Sequence, residues 1–131
     1  MFEARSPSEF DSAFQKMERA RVDGLVTAID PLFFAGRQRL AELAIAQRLP
    51  SIHVNGDAVE SGFLMSYGTN HEATFHRTPL YVDRLLKGAR PEDLPVEQPT
   101  TFEICINMRT ARAIGVKIPQ SVLLQAQKIV E

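Results

Sequence analysis

Short apolar runs alternate with helix-patterned segments along this chain, and that alternation constrains the fold more than any other feature. Leu25–Ile29, Ser51–Val54, Phe63–Tyr67 and Phe102–Ile106 are too short for buried helices and are bounded by turn or breaker residues, so each reads as a strand. The first of them has no polar alternation and suits a strand covered on both faces. Helical spacing fills the intervals. Ser6-Pro7-Ser8-Glu9 reads as a capping box with proline at the first helical position, followed by Phe10, Ala13, Phe14, Met17 and Ala20 on one face. Asp30-Pro31 caps a second helix that buries Leu40, Leu43, Ala44 and Leu49 and ends at Pro50. A further helix is expected from Thr69, but Pro79 falls in its interior, which predicts a kink or a fresh start with Thr78 as cap. It continues through Leu80, Val82, Leu85 and Leu86 to Gly88. Pro91, Pro95 and Pro99 make Arg90–Thr101 an extended connector. Met108–Ile114 reads as a short helix closed by Gly115. Pro119 opens a last helix with Val122, Leu123, Ala126, Ile129 and Val130 inward. Strand, helix, strand in this order predicts an α/β fold, a parallel sheet flanked by helices with right-handed crossovers. Only Phe2–Arg5 precede the first cap, too few for an ordinary strand, so the chain is expected to begin inside one, truncated at its N-terminus.

Composition removes several function classes. The chain has 131 residues, the size of a single domain, and its 15 Lys+Arg against 16 Asp+Glu leave a net charge of -1. A nucleic-acid partner needs clustered basic charge, so none is expected. No apolar run approaches the ~20 residues that span a bilayer, which argues against membrane insertion. Met1-Phe2-Glu3-Ala4-Arg5 lacks the basic start and apolar run of a signal peptide. Cys105 is the single cysteine, which excludes an intramolecular disulfide and a multi-cysteine metal site. Neither a phosphate loop nor a dinucleotide fingerprint fits any of the seven glycines, and there is no Gly-x-Ser-x-Gly elbow. His71 and His76 lie five residues apart and diverge around a helix, and His53 sits on a strand and is expected to point away from them. The spacing of His53, Asp57 and His71 fails for a small hydrolase. Arg37, Arg39, Arg77, Arg84 and Lys87 read as solvated helix faces. No nucleophile has a partnered base, so the chain is not expected to be an enzyme or to hold a cofactor.

In an open parallel sheet, ligands sit outside the carboxyl ends of the strands. Those ends here are Asp30-Pro31, Asn55-Gly56-Asp57 and Ser66-Tyr67-Gly68. Taken singly, Asp30 can be a helix cap, and Asn55 with Gly56 a turn. Taken together, Asp30, Pro31, Asn55, Asp57, Ser66 and Tyr67 offer carboxylates, an amide, a hydroxyl and an aromatic face at one sheet edge. That is a recipe for holding a small polar or amphipathic molecule.

Longer stretches resemble a known family. Ile29-Asp30-Pro31-Leu32-Phe33-Phe34, Leu40-Ala41-Glu42-Leu43-Ala44 and Arg48-Leu49-Pro50 are similar to ABC-transporter substrate-binding proteins, the family with tryptophan-binding members. Gly62-Phe63-Leu64-Met65-Ser66-Tyr67-Gly68 is similar to that family's glycine-rich strand and turn. Tyr81 to Pro91 and Asp93 to Thr100 match best, followed by Phe102-Glu103, Ile106-Asn107, Thr110-Ala111, Ile118-Pro119 and Leu123-Leu124. The resemblance implies the type I periplasmic-binding-protein architecture, two hinged lobes that trap a solute such as an amino acid and deliver it to an ABC permease, without chemistry. It implies that this chain is the C-terminal half: a flavodoxin-like, three-layer second lobe lacking its opening strand and helix. Residues 1–68 would be the partial second lobe, 69–101 the hinge-crossing helix and proline-rich connector, and 102–131 the C-terminal strand and helices. Asp30, Asn55 and Tyr67 would face the cleft. The family is periplasmic or extracytoplasmic, whereas Met1 as the true start would leave this chain cytoplasmic. In the flavodoxin-like order the absent first strand lies between the strands at Phe2 and Leu25, leaving two unpaired interior edges. Open edges recruit other chains, so a homodimer or other self-association is expected. The alternative is a degenerate or stand-alone fragment acting through self-association or pairing with a separate first lobe.

Overall fold

The computed structural model describes every residue but 97, 99 and 100, and all side chains except those at 71–74 and 77. Its sheet has five strands in sequence order: β1 (Leu25–Val26), β2 (Ser51–His53), β3 (Met65–Thr69), β4 (Phe102–Asn107) and β5 (Lys128–Val130). β1 with β2, β2 with β3, and β4 with β5 are parallel. The helices are α1 (Phe10–Arg19), α2 (Pro31–Ala35), α3 (Arg37–Ala46), α4 (Asp57–Glu60), α5 (His71–Leu86), α6 (Met108–Ile114) and α7 (Gln120–Leu123). The α/β class expected from the alternation is the one observed.

The chain divides into two compact units, residues 1–68 with 103–131, and residues 69–102. The first holds the core. Phe10, Ala13, Phe14 and Met17 of α1 pack with Leu40, Ala41 and Ala44 of α3 and with Leu49, Ala58 and Phe63, all of them buried. A second cluster joins Leu64 to Ala111 and Ile114 of α6. Several buried polar groups in this unit are satisfied by hydrogen bonds, as burial demands. The Ser51 hydroxyl accepts from the Leu64 N–H at 3.2 Å, and the Thr110 hydroxyl donates to the Gly62 carbonyl at 2.9 Å. Asn107 caps α6 by accepting from the Thr110 N–H and donates its amide to the Val59 carbonyl at 2.8 Å, tying β4 to α4. In the second unit α5 carries Pro79 in its interior, and the Tyr81 hydroxyl donates to the Pro95 carbonyl at 2.9 Å.

Several elements depart from the sequence expectation. The long helix after Asp30 is two helices, because Gly36 breaks it at φ -87°, ψ 7°, and a Cβ there would fall inside the Phe10 ring. The Phe10 ring against the chain at this point is what requires glycine. The expected restart at Thr78 does not occur, since α5 runs through Pro79 as one helix. The last helix stops at Leu123, and Lys128–Val130 is a strand. Gln127 explains the switch: its N–H donates to the Ile104 carbonyl at 2.9 Å and its side-chain oxygen accepts from the Ile104 N–H at 2.7 Å, zipping the terminus onto β4. Ile129 and Val130 are β-branched and fit the pleat they join. The Ser6 capping box is a 3-10 turn over Pro7–Glu9, with Glu9 accepting from the Arg5 N–H. Phe2–Arg5 carry no strand, and the sheet is continuous from β1 to β5, so the two unpaired interior edges are replaced by one open edge at β1. β1 is also shorter than expected and not covered on both faces: Thr27 is buried while Val26 is 75% exposed. Pro99 of the expected connector lies outside the described residues.

Candidate functional site

Parallel strands share one direction, so their carboxyl ends emerge along one rim. Asp30-Pro31 and Asn55-Gly56-Asp57 follow β1 and β2 onto that rim, whereas Ser66-Tyr67-Gly68, expected after the third strand, lie inside β3, which runs on to Thr69 and pairs Ser66 with His53. Asp30 has an extended backbone and accepts from the Leu32 N–H at 2.8 Å, which caps α2, while Pro31 occupies its first position. Proline there loses nothing, because that N–H would lack a helical partner anyway. The Asn55 side chain accepts from the Asp57 N–H at 2.9 Å and shapes the turn into α4, leaving Asp57 exposed on its first turn. Tyr67 is 54% exposed on β3, whereas Ser66 is 1% exposed and lies near Gly56. Of the six candidate residues, the side chains of Asp30 and Asn55 serve their own turns, Asp57 is exposed, and Ser66 is buried within β3.

Below the rim lies a cluster that sequence reading passed over. His53 ends β2 with 2% of its surface exposed, edge-on to Phe63 at 5.2 Å between centroids and tilted against Phe34 at 6.3 Å. Its Nδ1 accepts from the Asn55 N–H at 2.9 Å. A lone pair engaged at Nδ1 places the hydrogen of neutral imidazole on Nε2. That Nε2 is buried with no hydrogen-bond partner among the described residues, and so is the Nε of Arg37. Arg37 is half-buried, with its guanidinium 4.5 Å from the centre of the Phe34 ring and Nη1 donating to the Phe34 carbonyl at 2.9 Å. This corrects its reading as a solvated cation. Burial, and then the Arg37 charge, hold the His53 pKa below the ordinary histidine value, so the ring is neutral at pH 7. An unpaired buried donor costs about 1–3 kcal/mol, so two together mark a place where stability has been given up. The signals were faint but present. Ser51 and His53 share one strand face by period two, and Phe34 with Arg37 share one helical face by spacing three.

Arg39, by contrast, is exposed and pairs with Asp11 and Glu42. Cys105 is buried. Among the described residues no three His, Cys, Asp or Glu side chains assemble as a metal site. The side chain of His71 lies outside the described residues.

Residues 1–130 match the family described as ABC transporter substrate binding protein. The chain belongs to this family. It is a family of substrate-binding components, not of enzymes. No curated protein sequence matches the chain. Among solved structures, the ABC domain of Streptococcus pneumoniae in complex with L-Trp is 28% identical with a TM-score of 0.86, covering 98% of this chain and 44% of that one. A conserved domain protein of Vibrio cholerae is 25% identical with a TM-score of 0.86, covering 96% of this chain and 42% of that one. The ligand-free, open structure of a substrate binding protein with adhesive properties from Clostridium difficile is similar in fold, at 20% identity and a TM-score of 0.71, covering 97% and 42%. The chain thus spans less than half the length of these relatives. Among its described residues no helix is long and apolar enough to cross a membrane.

Proposed function

We propose that this chain supplies one wall of a non-catalytic solute trap in an ABC-type uptake system, and that its solute is an amino acid. The observation that supports the reading is the set of three adjacent parallel strands, with Asp30 and Asn55 in the segments after β1 and β2 and the exposed Tyr67 on β3. The pneumococcal relative in complex with L-Trp supports an amino acid with an aromatic side chain. On this reading the chain hands solute to an ABC permease, acts outside the cytoplasm, and uses residues 69–101 as the crossing to the facing lobe. Phe75, Leu80, Val82, Leu85 and Leu86 of α5 are exposed, as a helix meant to be covered elsewhere requires.

The chain contains no tryptophan, so the emission of added L-tryptophan reports on binding without background. Half of a clamshell lacks the second wall and the closure that desolvates a ligand, so saturable but weak binding is expected, weaker than about 1 μM. Emission unchanged by the protein, together with no calorimetric response across the amino-acid panel, overturns the solute reading.

A second reading has its own support. β1 ends the sheet, and Val26 and Ile29 beside it are 75% and 85% exposed. Alongside runs a cavity of about 550 Å³ lined by apolar side chains of Phe10, Phe14, Met17, Leu25, Phe33 and Leu40. An open edge with an apolar trough recruits another strand, and a second copy of this chain is the proposed partner. Sedimentation velocity is expected to show a dimer that Val26→Lys dissociates. A monomer at every concentration contradicts it.

A further inference from the structure

The two unpartnered donors under Phe34 have a chemistry of their own. Nε2–H of His53 and Nε–H of Arg37 are both donors, both buried, and both lack an acceptor among the described residues. Phe34 touches each side chain, its ring 6.3 Å from the imidazole and 4.5 Å from the guanidinium carbon. Among the described residues no carboxylate pairs with Arg37, whose single hydrogen bond goes to a neutral carbonyl. Two donors beside an uncompensated positive charge call for an acceptor that is itself negative, and a guanidinium edge matches the two oxygens of a carboxylate.

We propose that Arg37 and His53 form the carboxylate-receiving subsite of this chain, with the half-exposed Phe34 ring as its cover. This deepens the proposed solute function and rests on it for the identity of the ligand. It also explains the amino-acid class, since every amino acid brings a carboxylate. The position suits the role. His53 is two residues from Asn55, whose backbone N–H fixes the imidazole so that Nε2 is the donor, and Arg37 opens α3 six residues after Pro31. Phe34 belongs to α2 and not to a strand, and its ring is the cover that turns aside to admit the carboxylate. The carboxylate then accepts from both, and its charge offsets that of Arg37. The Arg37 charge already opposes protonation of His53, so an anion seated between them must ease it.

The test is NMR of the wild-type chain, following the His53 imidazole and the Arg37 Nε–H, with His53 identified by its loss in His53→Gln. Acetate is expected to raise the apparent pKa of His53 and to shift the Arg37 Nε–H, while chloride at equal ionic strength does neither. L-Tryptophan should do the same, and tryptamine, which lacks the carboxylate, should not. Arg37→Lys keeps the charge but loses the fork, and should weaken L-tryptophan binding about 10- to 100-fold with no change in tryptamine binding. Acetate and chloride acting alike overturn the subsite, whatever L-tryptophan does. An acetate response with no L-tryptophan binding leaves the subsite standing and removes the solute reading instead. Equal shifts by L-tryptophan and tryptamine also overturn it.

Discussion

At the scale of single residues, the molecule turns on side chains placed where they cannot be exchanged. Gly68 ends the motif Met65-Ser66-Tyr67-Gly68, and a Cβ there would sit on the Val54 carbonyl, backbone against backbone. Nothing flexible can yield, so Gly68→Ala is expected to cost about 3 kcal/mol or more, read as a lower urea midpoint with an unchanged slope. His53 gives a pH signature. Its folded pKa is lowered, so below the unfolded value of about 6.5 the unfolded chain binds more protons than the native one. Stability is therefore full above that pH and falls as pH drops toward the lowered folded pKa. Urea unfolding of the wild type and His53→Phe across pH 7.5 to about 5 should show this slope in the wild type and its reduction in the variant. Equal slopes would mean that His53 titrates as it does in water. The importance of these two residues was unevenly legible. Glycine after a strand announces a special position, while a lone histidine in a strand gives no hint that it will be buried with a free donor.

Among the elements, ends are fixed by particular hydrogen bonds more than by propensity. Asn107 terminates β4 and starts α6, and its amide also reaches the Val59 carbonyl, with 5% of the residue exposed. Asn107→Ala removes a cap and strands two buried backbone groups, an expected loss of about 2–4 kcal/mol by chemical denaturation. Asn107→Asp keeps the cap but not the donor and should lose less from α6 than alanine does. Helix α6 could be read in advance because Gly115 closes it at φ +77°, where glycine is favoured. β5 could not. Val122, Leu123, Ala126, Ile129 and Val130 fit helical spacing, and long-range pairing with β4, begun by Gln127 on Ile104, 23 residues away, selects a strand. Pro79 misled in the opposite sense, since a proline inside α5 suggested a new start that the helix does not make. Local pattern thus located α/β order and four of the five strands, and long-range pairing decided the rest.

At the scale of the whole molecule, the parallel arrangement matters because it sends the loops after β1 and β2 to one rim. A rim was expected from the strand order, since each loop after a parallel strand emerges at the same edge, but Ser66 and Tyr67 lie inside β3 because that strand runs on to Thr69. What recognition lies beneath the rim did not follow, because burial of His53 and Arg37 depends on how α2 and α3 fold over β2. The β1 edge and the exposed face of α5 leave apolar surface on a chain that spans 42% to 44% of its relatives' length.

Chemical-shift mapping of the 131-residue chain with L-tryptophan tests the solute-trap account most directly. The account predicts that the shifted amides gather at Asp30, Asn55, Asp57 and Tyr67, with the side chains of His53 and Arg37 among them. Shifts confined to the trough between α1 and β1, or none at saturating L-tryptophan, would contradict it.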